Sequence, residues 1–480
     1  MSTGSQRNAL SYEDLQREHA TLRGENATLR AQVAALQTTI ETLRAEVAAL
    51  QRGTQRQAAP FSKGTRVGQP KRAGRRPGEG TFQYRLPPLP EAVTAPLVDV
   101  PVTASGCPHC GGSFELERVE VAYRTELPPQ PRPQVTAYRV TVCRCQACGR
   151  QVRGEHPEVA PDQFGATAHR LGPRLLAAAH TLHYGLGVSQ RKVPAILREL
   201  TGVSVTQGAL AQDAQRRTAH EVGTAYQQLR ASVAEAKQVN SDDTSWRVGG
   251  ETAFLMAFAT ATATVYQIRA RHRNEEVREV VPADYTGVLG TDRGKSYDAK
   301  ELRHVRQQKC IGPIQRSLSA VLATKHGRGR SFTKQLKARL REAIALWRGY
   351  HAGTAPDFAA AAATLREQLT HHLRDRALPD PDNQRLLNEL GRHHDRGNLL
   401  RFLDDPQIAP TNNLAERELR PAVIARKVSQ CSKNDRGAET FAAFASVTRT
   451  LARAGGSVID GLATLFRSGR LPAHPAPLPP

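Results

Sequence analysis

Leucine recurs at every seventh position from Leu15 through Leu22, Leu29, Leu36 and Leu43 to Leu50. Four residues after the first five stand His19, Asn26, Val33, Ile40 and Val47. A seven-residue apolar repeat with Leu at d and mostly β-branched residues at a predicts a long helix paired in parallel with a second copy. Asn26 at an a position helps to set register, and Glu18 with Arg23 and Glu25 with Arg30 supply cross-chain charge pairs. A helix packed on its own domain is the other reading. The predicted coiled coil covers 11–52 and ends at Arg52-Gly53.

The period then stops. Residues 53–95 carry Gly, Pro and Gln with many basic residues, which predicts a disordered linker. Alternation near Val119–Leu127 and Val135–Val142 predicts two strands. A helical period returns over 166–236. Ser189 is placed to cap a helix bearing Val193, Ile196, Leu197 and Leu200, with Pro194 inside it. After the Thr201-Gly202 turn, Thr206 caps a second helix from Gln207. Two helices around a short Gly turn suit either a helix-turn-helix or generic helix packing.

From Lys237 the pattern changes to strands at 237–248, 252–261 and 264–270, with Gly249-Gly250 as a hairpin turn. A short helix follows at 274–281, with Val277 and Val280 inward, and then a strand at 285–291 ending at Asp292. Three antiparallel strands, a helix and another strand is the order of an RNase H-like fold. Helical periods resume at 332–347, near 358–372 and near 384–402. Asn413 is the expected cap of a further helix, with Glu416 three residues on, as in a capping box.

Composition adds a partner. Lys+Arg outnumber Asp+Glu by 67 to 45, giving a formal net charge of +22. Such a chain attracts polyanions, and nucleic acid is the default reading; high solubility alone is the other. The polar first residues predict no secretory signal, and the longest apolar run, Ala253–Val265, is too short to cross a bilayer. The expected location is cytoplasmic, at the nucleoid, with no membrane partner. In the linker, Lys71, Arg72, Arg75 and Arg76 are candidate phosphate contacts, or merely solvated charges.

Two motifs carry chemistry. Cys107-Pro-His-Cys110 and Cys145-Gln-Ala-Cys148, each followed by Gly, have the spacing of one tetrahedral structural Zn²⁺ site. His109 is read as a bystander and Cys143 as a spare thiol. The second motif is Asp242-Asp243, paired acids on a predicted strand of a basic protein, where a hard cation such as Mg²⁺ is the expected companion. Asp292, at the end of the fourth strand, would lie beside them in such a sheet.

The run Thr411–Pro421, followed by Arg426-Lys427-Val428-Ser429, resembles the C-terminal signature of bacterial transposases of insertion sequence family 66. Ser241–Val248 resembles the family's first-aspartate motif, with Asp243 where relatives usually carry Glu. Val288–Tyr297 resembles the second-aspartate motif. The chain departs from the pattern where Pro313 stands in place of a His after Cys310, where 253–258 lacks an expected aromatic, and where Arg293-Gly294 follows Asp292.

The resemblance implies a DDE transposase, with Asp242, Asp292 and Glu416 as catalytic triad holding two Mg²⁺ (or Mn²⁺) ions. It implies cutting and joining of element ends by two-metal phosphoryl transfer. Gln207, Arg216, Arg417 and Arg420 join the basic linker as candidate DNA contacts; for Arg417 and Arg420, surface ion pairing is the other reading. Dimers or higher oligomers through the coiled coil would bring two DNA ends together.

The expected fold class is multidomain α+β. Its parts are an N-terminal coiled coil (11–52), a basic linker (53–95), a zinc ribbon (96–155) and a helical helix-turn-helix-like domain (166–236). An RNase H-like core (237–325 and 406–468) follows around a helical insertion (326–405), with a disordered tail (469–480). An inactive zipper and zinc DNA-binding regulator, and a nuclease without strand transfer, are the alternatives.

Overall fold

The computed structural model describes residues 12–55, 87–93, 98–125 and 133–472. Lys71, Arg72, Arg75, Arg76 and most of the linker and tail lie outside them. The chain divides into two units, 1–87 and 88–480.

Among the described residues the first unit holds one helix, α1 (Tyr12–Gln55), three residues longer at its end than the heptads predict. Its seam is uncovered within one chain: Leu22, Leu29, Val33, Leu36, Ile40 and Leu43 are all exposed.

The second unit opens on the cysteine knuckles. A small hairpin, β1 (Val142–Arg144) and β2 (Gln151–Arg153), brackets the second knuckle. The strands expected at 119–127 and 135–142 are not formed among the described residues. Val119, Val121 and Val135 are exposed, so their alternation has no apolar surface to bury against.

Helices α2 (Pro173–His180), α3 (Val193–Thr201), α4 (Gln207–Ala219) and α5 (Glu221–Ala234) follow. Leu176, Ala179, Val193, Leu197 and Leu210 join the first three in one small core. The cap of α3 is Lys192, not Ser189, so Pro194 falls in the first turn, where a missing N–H breaks no bond. Thr206 caps α4 as expected, its hydroxyl accepting from the Ala209 amide at 3.1 Å. Gly202, at φ 72°, ends α3 in the left-handed conformation that glycine adopts without strain.

A five-stranded sheet comes next: β3 (Gln238–Val248), β4 (Glu251–Ala259), β5 (Thr264–Arg269), β6 (Val288–Thr291) and β7 (Arg306–Lys309), with the short helix α6 (Asn274–Arg278) between β5 and β6. Their order across the sheet is β5-β4-β3-β6-β7. The first three run antiparallel, while β6 is parallel to β3 and β7 to β6.

Alternation along β3 sorts its residues onto two faces. Val239, with Met256 and Phe258 of β4, packs against α5 in one core. Trp246, with Leu255 and Ala257, packs in another against Leu419, Ala422 and Phe441. Those partners lie on α12 (Asn413–Ser429) and α13 (Asp435–Arg453), which are followed by α14 (Val458–Ser468).

Between β7 and α12 run α7 (Ile311–Thr324), α8 (Ser331–His351), α9 (Phe358–His372), α10 (Pro381–Asp395) and α11 (Arg401–Asp404). They share their own apolar core, including Ile314, Leu336, Leu369, Leu387 and Phe402. No helix among the described residues is long and apolar enough to cross a membrane.

Candidate active site

The site is set by strand register. Residues Gln238, Val239 and Asn240 of β3 pair with Val288, Leu289 and Gly290 of β6. The same register carried two residues on sets Asp292 across from Asp242. The end of the β6 segment is held by backbone: the Gly294 amide donates to Asp292 Oδ1 at 2.8 Å. A side chain at Gly294 would press within 2.9 Å of that oxygen, which explains a glycine here.

Glu416 arrives on α12. The cap of this helix is Asn412, not Asn413, and its side chain makes no capping bond. Instead Asn412 Nδ2 donates to the Ser241 carbonyl at 2.7 Å, and the Asn412 amide donates to Cys310 Sγ at 3.0 Å. The helix start is thus tied to the residue before Asp242 and to the residue after β7. Further along, Arg426 Nη1 donates to Thr244 Oγ1 at 2.9 Å and lays α12 along β3.

Burial of Asp242, then the nearby charges of Asp243, Asp292 and Glu416, push its pKa up to about 7. The backbone amide of Asp243 opposes this by donating to Asp242 Oδ1 at 2.9 Å. No Lys or Arg pairs with Asp242, Asp292 or Glu416 among the described residues. This excess of carboxylate suits a hard divalent cation. Among the described residues, however, no three His, Cys, Asp or Glu side chains converge closely enough to enclose one ion.

Asp243 is on the other face. Its Oδ1 lies 3.2 Å from His272 Nδ1. Burial raises its pKa, His272 lowers it and Asp292 raises it again. Beside it the buried Tyr297 hydroxyl bonds Ser241 Oγ at 3.0 Å.

Several residues that the sequence did not single out hold these acids. Glu418 is completely buried and engages Arg449 through both oxygens, at 2.5 and 3.2 Å, and accepts from Thr264 Oγ1 at 3.2 Å. It anchors α12; Glu416, two residues earlier, stays unpaired among the described residues. Arg293 donates to Glu389 of α10 at 2.8 Å and to Ser317 of α7 at 2.5 Å. Lys309, fully buried and paired in register with Thr291, lies 2.9 Å from Asp298 Oδ1. A charged Lys in a β strand and an Arg after an Asp read as solvated residues until the helices that cover them are placed.

The other expected contacts are scattered. Arg417 is exposed, 3.6 Å from Glu418 Oε1, and Arg420 is exposed with no side-chain partner among the described residues. Gln207, exposed at the start of α4, lines a cleft of about 590 Å³ with Gln430 and Lys433. Arg216 is drawn back to Asp213 at 2.6 Å, in a network that also joins Asp213 to His180 and Arg217.

The two cysteine knuckles are near copies. The Gly111 amide donates to the Cys107 carbonyl at 2.8 Å, and the Gly149 amide to the Cys145 carbonyl at 2.9 Å. Backbone amides of His109 and Cys110 lower the Cys107 pKa; those of Cys148 and Ala147, with the Cys148 thiol, lower that of Cys145. Cys107 and Cys145 are thus shifted toward thiolate, the ligand form. The two pairs are not gathered as a group of three or more ligands among the described residues.

The family model described as Transposase IS66 family matches residues 169–440, more than half of the chain. The chain belongs to that family. Comparison with curated proteins gave no match. The transposase therefore belongs among enzymes that cut and join DNA. The matched region begins before α2 and runs into α13, so it takes in the sheet, the inserted helices and all three acids.

Proposed function

We propose that this transposase cuts and joins the ends of a bacterial insertion sequence with Asp242, Asp292 and Glu416 as its catalytic carboxylates. The observation that carries the reading is the environment of Asp242, whose pKa is raised by burial and by three neighbouring carboxylates, while no Lys or Arg among the described residues forms an ion pair with Asp242, Asp292 or Glu416. The three acids would hold two Mg²⁺, or Mn²⁺; bound there, such ions activate water and offset the charge that develops on phosphorus oxygens.

The strand order supports an RNase H-like core: three antiparallel strands, then two parallel ones, with Asp242 on the central β3 and Asp292 directly after its neighbour β6. Helices α8 to α11 form the insertion. Asp292 is oriented by the Gly294 amide, and the bond from the Asn412 side chain to the Ser241 carbonyl sets the reach of Glu416. Arg417 and Arg420 contact phosphates from the exposed side of α12. Gln207 and Arg216 of a helix-turn-helix-like domain, and the basic linker at Lys71, Arg72, Arg75 and Arg76, add DNA contacts. Cys107, Cys110, Cys145 and Cys148 hold one structural Zn²⁺. The exposed seam of α1 pairs with a second copy, since an uncovered heptad stripe is stable only when buried. The protein acts in the cytoplasm at the nucleoid.

The test is cleavage and joining of terminal inverted-repeat DNA with Mg²⁺, comparing wild type with Asp292→Ala. Cleaved and joined products with wild type alone support the proposal. DNA binding without cleavage by wild type would leave a regulator, and cleavage without joining a nuclease.

A further inference from the structure

The seam between α7 and α8 carries a basic cleft that none of the assignments above uses. It has a volume of about 400 Å³ and is lined by Arg316 and Ser319 of α7 and by Lys337, Arg341, Ile344 and Arg348 of α8, among others. The α8 residues recur at helical spacing and so share one face. No acid lines the cleft. Among the described residues Lys337 Nζ donates only to the neutral Ser319 Oγ, at 2.5 Å. The side chains of Arg316, Arg341 and Arg348 are exposed and have no protein partner among the described residues.

Lys337 and Arg341 are one turn apart, and like charges at that spacing repel each other. An arrangement of this kind gains from a polyanion laid across it. From Lys337 to Arg348 the helix rises about 16 Å, a length along which one strand of a duplex carries roughly five phosphates.

One wall of the cleft, α7, is also linked to the site. Ser317, next to Arg316 on α7, accepts through its hydroxyl oxygen from the Arg293 guanidinium, and Arg293 follows Asp292. The buried Cys310 thiol feels the charges of both Glu416 and Arg316.

We propose that the α7–α8 cleft seats backbone phosphates of duplex DNA beside the catalytic acids. This rests on the reading of the protein as a DNA-acting transposase, and its test is separate from turnover. Binding of a generic duplex is followed by fluorescence anisotropy across a KCl series, without divalent ions, using the full chain. R316A/R341A/R348A is expected to weaken binding at least tenfold at low salt. It also flattens the slope of log K against log salt by about 0.9 for each phosphate that is no longer neutralised. Replacing the same three residues by Lys restores most of that slope.

An alanine variant with unchanged affinity and slope overturns the proposal, as does one that loses binding to polyaspartate but not to duplex, which would mark an acidic protein partner. Failure of the wild type to cleave leaves the cleft assignment standing. An unchanged slope leaves the cleavage reading standing.

Discussion

The side-chain amide of Asn412 donates to the main-chain carbonyl of Ser241 across 2.7 Å, in the interior of the protein. One end of this bond begins the helix of Glu416; the other lies directly before Asp242. This bond joins the supports of two acids that are far apart in sequence.

Asn412→Ala should therefore misplace Glu416. The Ser241 carbonyl loses its donor, which costs about 1–3 kcal/mol of stability in urea unfolding. A shift of about 1 Å in a reacting group lowers turnover by roughly a hundredfold. A variant that loses stability but cleaves DNA at the wild-type rate would show that the bond is structural only.

Asp242 and Asp243 should separate by role. Asp242 lies on the face covered by α12, while Asp243 turns to His272. Asp242→Asn is expected to abolish divalent-dependent cleavage, and Asp243→Asn to leave a measurable remainder. Reversal of that order would put the register off by one residue.

Glu416 and Glu418 should separate in the opposite sense. Glu418→Gln breaks a buried ion pair with Arg449 and should cost about 3–5 kcal/mol in chemical denaturation. Glu416→Gln removes an unpaired carboxylate from an acidic cluster. Its stability should be unchanged or higher while cleavage is lost.

Stability should depend on pH through Asp242. Its folded pKa, about 7, lies above the ordinary value of 3.8, so between these values the folded state binds more protons than the unfolded one. Stability then falls as pH rises from about 4 to about 7 and levels off above that. Thermal melts in EDTA across this range should show the slope, and Asp242→Asn should reduce it. Added Mg²⁺ should raise Tm most at the upper end, where Asp242 is ionised.

Arg293 and Glu389 should behave as a coupled pair. Either Arg293→Glu or Glu389→Arg should reduce the cleavage rate by loosening the segment after Asp292, with little change in affinity for DNA. The double exchange should recover a large part of the loss. Additive losses in the double variant would show that α10 does not position Asp292.

How much of this was legible in advance follows from the range of the signals. The N-terminal helix, the hairpin at Gly249-Gly250, the cap at Thr206 and the helical periods over 332–347 and 358–372 are local, and all appear in the structure close to where the patterns put them. The strand series predicts β3 to β6 in order because alternation and turn chemistry act within ten residues or so. Patterns without a burying surface misled: the valines near 119–135 alternate but find no core, and Ser189 caps nothing because the helix starts later, at Val193.

The sequence by itself determined the three acids as candidates, the two cysteine knuckles and the family signature. Tertiary structure alone decided which glutamate of α12 is free, because folding brings Arg449 to pair with Glu418 and Thr264 to donate to it. It also decided that Asn412 ties two elements rather than capping one, and that Arg293 and Lys309 are held by partners on distant elements or loops. The physical reason is that propensity and periodicity act between near neighbours along the chain. A carboxylate's charge state and a side chain's partner depend on what folding brings to within a few ångströms from anywhere else.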